Sequence, residues 1–348
     1  MLSFRLSKQG WAVIIILSSV FFLYYFSNVN PIARLKGDVI SVRTLLTQCV
    51  LLAENAGKVI KSKHASAKLN TRVKVVEGGP PNELVTDVDM VSHQVIVSGL
   101  HRKFKQLQII SEEHPTSPPV NDPQESLSVY PPLLYNRLPD NDLFVPIADL
   151  VVWVDPLDAT QEFTEGLLEC VSVMICVALH GHPIIGVIHQ PFMNKTYWAW
   201  ESYGISEDVI QALADAIKMH SQFSHPLEIT YSRSHLNNDT MERLANALKP
   251  QEVRFLPAGG SGYKTLSLLN GHAQVYIHPS STRRWDICAP HAILESVGGR
   301  MTGLDGSRFT FHASDPPQIP KSVGLFAASS ISNHNQWRAK MAQVNWNT

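Results

Sequence analysis

Hydrophobic positions recur along this chain with two periods, and the switches between them mark its elements. Over residues 35–63 apolar side chains fall at helical spacing (Val39, Val42, Leu46, Cys49, Val50, Ala53, Ala56, Ile60), which predicts an amphipathic helix. A second helical pattern runs through Val91, Val95 and Leu100. Short runs rich in β-branched and aromatic residues follow at 108–113, 150–154, 170–179, 184–189 and 196–200, and these read as strands. Residues 204–225 read as a helix and connector joining two halves. The second half predicts a strand at 227–231, a helix at 239–248 and a glycine-rich turn at 257–264 opening a helix through Leu266 and Leu269. A strand at 274–278 comes next, then a helix through Ile287, Ile293, Leu294 and Val297 that stops at Gly298-Gly299. Such an order implies sheets flanked by helices on either side, an α/β fold.

Two stretches stand outside this alternation. Residues 11–26 are uncharged and almost wholly apolar, and with the flanks from Gly10 to Val29 the run approaches the ~20 residues a helix needs to cross a bilayer. It is longer than the apolar part of a signal peptide and lacks a small-residue cleavage site, so an uncleaved anchor is expected. Arg5 and Lys8 would keep the short tail cytosolic and put the body on the luminal or extracellular side. The sequons at Asn194 and Asn238 fit that topology. Residues 114–146 hold eight prolines among Asn and Asp, which predicts a long excursion loop, either a lid or an insertion. The chain thus divides into a tail, anchor and linker (1–36) and a body (37–348) with halves at 37–203 and 204–348.

A formal net charge of −1 without a basic cluster argues against a nucleic-acid polymer as partner and leaves room for a small phosphorylated ligand. Cys49, Cys170, Cys176 and Cys288 show no CxxC spacing, so a thiolate zinc site is not expected. They read as buried small hydrophobes.

The candidate chemistry centres on Trp153-Val154-Asp155-Pro156-Leu157-Asp158-Ala159-Thr160. Pro156 should end the strand, leaving two carboxylates at its edge, where α/β sheets bind ligands. Oxygen ligands three residues apart suit Mg²⁺ rather than zinc. The N–H groups of Ala159, Thr160 and Gln161, at a helix start, could face a phosphate. An ordinary turn and cap would explain the same aspartates. Asp87 and Asp89 at a helix start, Glu112-Glu113 at a strand end and Asp286 behind Arg283-Arg284-Trp285 each admit a local reading too. Asp89, Glu112, Glu113, Asp155, Asp158 and Asp286 form a set of carboxylates with no opposite side-chain charge assigned to them, with Asp87 an additional acid beside Asp89. Such a set needs divalent cations, and metal-assisted phosphoryl transfer to water is a reaction it can serve.

Glu112-Glu113, the W-x-D-P-[IL]-D-[GA]-T pattern at 153–160 and the W-D-x-[AC]-A pattern at 285–289 resemble the lithium-sensitive, magnesium-dependent phosphatases of the inositol monophosphatase family. With Asp89, the resemblance covers nearly all of 37–330. It implies an αβαβα sandwich in which Glu112, Asp155 and the Leu157 carbonyl hold one Mg²⁺ and Asp155, Asp158 and Asp286 hold a second. Asp89 and Glu112 would sit near a third ion. Glu112 and Thr160 would orient and deprotonate the attacking water, and the amides of Ala159 and Thr160 would bind phosphate. Further likeness at Glu112-Glu113-His114, Asp158 to Glu162, Ser232 to His235, Pro257 to Gly260 and Trp285 to Ala289 points to the nucleotide-bisphosphate branch, whose substrate is 3′-phosphoadenosine 5′-phosphate. It implies a pocket lined by Ser234, His235, Ser261, Lys264 and Arg284, a single-pass Golgi membrane location with a luminal body, and a homodimer as one assembly open to it.

Ala159 stands where most of that family has glycine, and Pro290 where a small residue is usual. The proline puts the pocket wall near Asp286 in question. Three other readings compete: an inositol phosphate phosphatase of the same family, a membrane-anchored glycosyltransferase using Asp87-Val88-Asp89, and a binding protein that kept the fold without activity. The glycosyltransferase leaves the 153–160 and 285–289 patterns unexplained.

Overall fold

The computed structural model describes residues 38–66, 71–74, 83–113, 141–220, 226–233 and 238–341, together with Ser18, Val344 and Trp346. The expected anchor at 10–29, most of the proline-rich loop, and Ser234 and His235 lie outside the described residues. Among those described, no helix is long and apolar enough to cross a membrane.

Strand β1 (Val39–Ser41) leads into α1 (Val42–Ala65), where Ser41 accepts from the Thr44 N–H as N-cap. The hairpin β2 (Thr71–Lys74) and β3 (Glu83–Thr86) precedes α2 (Asp87–Lys103). Then come β4 (Gln108–Ser111), β5 (Phe144–Pro146) paired with β1, β6 (Leu150–Asp158) and the short α3 (Thr160–Glu165). Strands β7 (Ser172–Leu179), β8 (His182–Gln190), β9 (Lys195–Trp200) and β10 (Gly204–Ile205) complete a six-stranded sheet in the order β10-β9-β8-β7-β6-β4. Its pairings are antiparallel except β4 with β6.

After α4 (Glu207–His220) come β11 (Leu227–Ser232), α5 (Asn238–Leu248), β12 (Val253–Ala258), α6 (Ser261–Leu269) and β13 (Val275–His278). Strand β14 (Thr282–Arg283) runs into α7 (Arg284–Ser296), followed by β15 (Arg300–Thr302), β16 (Gln318–Ile319), β17 (Leu325–Ala328) and α8 (Ile331–Met341). The second sheet has the order β12-β11-β13-β17-β15, and β14 pairs with β16.

Alternation along the strands sorts their side chains into separate cores. Val152 and Val154 face α1 and α2, whereas Val151 and Trp153 face α6 and α7 on the other side of the first sheet. Ile229, Ile277 and Phe326 turn away from that middle layer toward α5 and α8. The result is five layers, helix, sheet, helix, sheet, helix, as expected from the resemblance. Burying both faces of each sheet is what makes its strands near-continuous apolar runs.

Two sequence expectations change here. Pro156 does not end β6: the ladder to β7 shifts register between Asp155, opposite Met174, and Asp158, opposite Ser172. The proline sits in that irregularity, where no ladder N–H is needed, so the carboxylates project from a kinked strand. Cys176 and Cys288 are not two separate buried thiols but a disulfide joining β7 to α7, while Cys49 and Cys170 are free.

Candidate active site

The kink in β6 places Asp155 and Asp158 at the edge of the first sheet facing the middle helices. Asp155 Oδ1 accepts from the Leu157 N–H (3.1 Å), which folds the kink onto its own carboxylate. The Ser92 hydroxyl of α2 donates to the Pro156 carbonyl (2.6 Å), pinning the turn from behind. Asp158 reaches into the second half: its carboxylate accepts from the Ser261 and Gly262 N–H groups (3.1 and 2.9 Å) and from the Ser172 hydroxyl (3.1 Å). It therefore acts as a remote cap for α6, where side-chain acceptors meet otherwise unpaired N–H groups.

Asp89 and Asp286 are each both cap and site residue. Asp89 Oδ2 accepts from the Thr86 N–H (2.7 Å) and hydroxyl (2.5 Å), while the Thr160 hydroxyl lies 3.1 Å from Oδ1 and 3.0 Å from the Leu157 carbonyl. Asp286 Oδ2 accepts from the Arg283 N–H (2.8 Å) and the Thr282 hydroxyl (2.9 Å). Local capping and a shared site are thus compatible: the cap contacts use one oxygen of each carboxylate.

The electrostatics bind the set together. Burial pushes the Asp155 carboxyl well above its ordinary range, and Glu112, Asp158 and Asp286 push it further. Asp286 rises to about 7, chiefly by burial, against the Arg283 N–H and with Asp158 adding to the rise. Asp89 rises to about 6 for the same first reason, opposed by Thr86. Burial raises Asp158 too, and Lys264 is the largest influence holding it back. Among the described residues no three His, Cys, Asp or Glu side chains are already gathered as a cation cage. The carboxylates instead hold neutral donors and repel one another. Their chemistry still fits a hard divalent cation: the donors are oxygens, they are desolvated, and the mutual repulsion that raises Asp155 is what a cation would relieve.

Ala159 has φ 69° and ψ 45°, a left-handed conformation for a residue with a Cβ. It turns the chain sharply from β6 into α3. Such strain costs about 1–2 kcal/mol and persists where surrounding contacts enforce it.

The proposed nucleotide-pocket residues behave differently from one another. Ser261 starts α6 and is buried. Lys264 is only 3% exposed, donates to the Gly260 carbonyl (2.5 Å) and lies 5.3 Å from the Tyr276 ring. Burial pulls its ammonium down, with Asp158 the main opposing influence, so it belongs to the carboxylate row. Arg284 is engaged by the chain's own backbone: its Nε donates to the Thr310 carbonyl (2.7 Å), its Nη1 to the Pro316 carbonyl, and Asp315 is 3.6 Å off. The structure thus gives it the task of clamping residues 310–316.

Sequence reasoning gave Glu162 no role, and offered Arg233, with Lys264, Arg283 and Arg284, as a basic candidate for a second phosphate. Arg233 bonds Glu162 (2.9 Å) and Glu165 (2.6 Å), tying the end of β11 to α3. A Cβ on Gly259 would sit 2.0 Å from the Glu162 carboxyl carbon, so that glycine makes room for a buried acid. The acid's place in the Asp158-Ala159-Thr160-Gln161-Glu162 run was the available signal.

A model of the inositol monophosphatase family matches residues 41–345. The Golgi-resident adenosine 3′,5′-bisphosphate 3′-phosphatase of Homo sapiens is 32% identical over 329 residues, covering 90% of this chain and 84% of its own. A Drosophila melanogaster protein provisionally named inositol monophosphatase 3 is 34% identical over 350 residues, covering 98% and 95%. A solved inositol monophosphatase/NADP phosphatase complexed with Mg²⁺ and phosphate shares the fold at TM-score 0.54 and 18% identity, covering 84% of this chain and 92% of its own.

Proposed function

We propose that this chain, which belongs to the inositol monophosphatase family and is a phosphatase, hydrolyses 3′-phosphoadenosine 5′-phosphate at its 3′ position, with Mg²⁺ as cofactor, giving AMP and phosphate. The observation that carries the reading is the row of mutually repelling carboxylates, buried at Asp155 and Asp158 and half-buried at Asp286, beside the left-handed turn at Ala159. Glu112, Asp155, the Leu157 carbonyl, Asp158 and Asp286 would hold Mg²⁺. The bound cation would supply Lewis-acid stabilisation of the phosphate oxygens and make a water more acidic.

The protein's own groups do the rest. The Ala159 and Thr160 N–H groups, aligned by the left-handed turn, form a concave donor pair for the substrate phosphate. The Thr160 hydroxyl, 3.1 Å from Asp89 Oδ1, orients the attacking water and relays its proton. Asp89, with a pKa of about 6, is basic enough to receive it near neutral pH, and Glu112 shares the task. Asp158 and Lys264 neutralise each other in part, so the row is less negative than its count of acids. Arg233, held by Glu162 and Glu165, shapes the wall of the nucleotide pocket, for which Ser234, His235 and Ser261 remain proposed lining.

We place the body in the Golgi lumen, as the name of the human relative suggests. A disulfide suits an oxidising compartment, and the apolar run at 10–29 suits a single-pass anchor. Both sequon asparagines, Asn194 and Asn238, are exposed.

The test is kcat/KM with Mg²⁺ on 3′-phosphoadenosine 5′-phosphate, 3′-AMP and inositol 1-phosphate. One charge-assisted contact to the second phosphate is worth about 1.5–3 kcal/mol, so the bisphosphate should lead by roughly ten- to a hundredfold. Equal efficiency on inositol 1-phosphate would transfer the assignment to inositol phosphates, the reading that the name of the Drosophila relative favours.

A further inference from the structure

We infer that the Cys176–Cys288 disulfide is a positioning strut for the cation site, fixing the first turn of α7, and with it Asp286, against the strand that faces Asp155. The inference rests on the metal-site reading above.

Four observations converge on one rung of the sheet. Cys288 follows Asp286 by two residues, and Cys176 lies opposite Trp153, two residues from the Asp155–Met174 rung and on the same face as Met174. The bond therefore joins α7, which carries Asp286, to β7, the strand paired with the one that carries Asp155, two residues from the rung of that carboxylate. Cys176 also pairs with Gly186 of β8, and a Cβ there would lie 2.3 Å from the Ala289 carbonyl oxygen. With no side chain between them, the backbone of α7 rests directly on the sheet at the rung the disulfide closes. Finally, Pro290 lies inside α7 and has no N–H, so the Asp286 carbonyl lacks the helical donor four residues on. The first turn is thus deprived of one helical bond at the residue whose side chain matters. Besides the disulfide, that turn is held by the cap contacts to Asp286, by the Arg284 N–H to the Pro317 carbonyl (2.9 Å) and by the Arg284 side chain on the Thr310 and Pro316 carbonyls, none of which ties it directly to the first sheet.

Forming the bond removes two protons and two electrons from the two thiols. A disulfide-bearing oxidant accepts them by thiol–disulfide exchange and leaves as a dithiol. Both sulfurs are buried in the finished fold, so exchange belongs to folding and the strut is permanent afterwards.

The experiment uses the full chain, its Cys176→Ala/Cys288→Ala double variant and Asp286→Asn. Alkylation of the denatured, unreduced wild type should label two cysteines, Cys49 and Cys170, and all four after reduction. Calorimetric Mn²⁺ binding should then show a cation class in the wild type that weakens roughly 10- to 100-fold in the double variant, the range for groups that orient metal ligands. The same class should be lost in Asp286→Asn, while the remaining class and the near-ultraviolet dichroism stay as in wild type. Wild-type Mn²⁺ isotherms unchanged in the double variant would overturn the inference, as would four labelled cysteines before reduction. Collapse of the double variant's fold would overturn it too, since the bond would then hold the domain rather than Asp286. If the wild type itself binds no Mn²⁺, the metal-site reading fails instead.

Discussion

Replacing Asp286 by Asn separates the cost of the carboxylate row from its use. The amide keeps an oxygen for the Arg283 N–H and the Thr282 hydroxyl, so α7 stays capped while one charge leaves. Raising this carboxyl from its ordinary 3.8 to about 7 is worth about 4 kcal/mol at ~1.4 kcal/mol per pKa unit. Solvent at the partly exposed group reduces that to about 2–4 kcal/mol. The sign follows from linkage. Between pH 3.8 and about 7 the unfolded chain has lost the proton that the folded chain retains, so the metal-free protein loses stability as pH rises through that window. In EDTA at pH 8 the variant should therefore melt above wild type, by on the order of 5 °C at ~2 °C per kcal/mol for a long chain. At pH 5 the neutral acid and the amide should be close to equivalent. Saturating Mg²⁺ should reverse the order at pH 8, because the wild type gains binding energy that the variant lacks. Thermal melts at the two pH values, with and without Mg²⁺, carry the test. A variant that melts below wild type in EDTA at pH 8, or gains as much from Mg²⁺, would refute the reasoning.

Ala159→Gly should relieve the left-handed strain and raise Tm by a few degrees, corresponding to about 1 kcal/mol; a lower Tm would show that the methyl packs more than it strains. Thr160→Ala should leave Mg²⁺ affinity within a few-fold and lower kcat by roughly 10²-fold, as expected for loss of a proton-handling group, and unchanged kcat in a steady-state assay would remove the hydroxyl from the mechanism. Gly259→Ala should displace the Glu162 carboxylate and raise KM more than it lowers kcat, since the added Cβ meets that side chain at 2.0 Å. An unaltered KM would take Glu162 out of the pocket wall.

Sequence patterning disclosed the elements whose period is strong and local. The helix α1, the strands β6 to β9 and the helix α7 were all predicted from spacing alone. Strand β12 was not, because Pro257 and the following Gly259-Gly260 read as a turn. Its place at the edge of the second sheet, paired only with β11, is what tolerates the proline. Beyond Gly299 no element was assigned: β17 has only four residues, and α8 carries Ser, Asn, His and Gln without a clear apolar stripe. At the site, residue type and strand-end position pointed to the acids. What each cation touches could not be read, because Lys264 among the carboxylates and Arg284 on the 310–316 segment depend on packing between distant elements. The pairing of Cys176 with Cys288, 112 residues apart, was hidden for the same reason.

Asp158 belongs to the first half by sequence and to the second by hydrogen bonding, its N–H donors lying 103 and 104 residues downstream. On a growing chain that aspartate emerges long before Ser261, Gly262 and Lys264 exist to meet it, and before Asp286 can face it. During that interval Asp155 has the Leu157 N–H and Asp158 the Ser172 hydroxyl, and water fills the places of the rest. The site is therefore among the last things the chain completes. A half-made molecule has neither the cradle nor the counter-charge, and any turnover measured reports a finished chain.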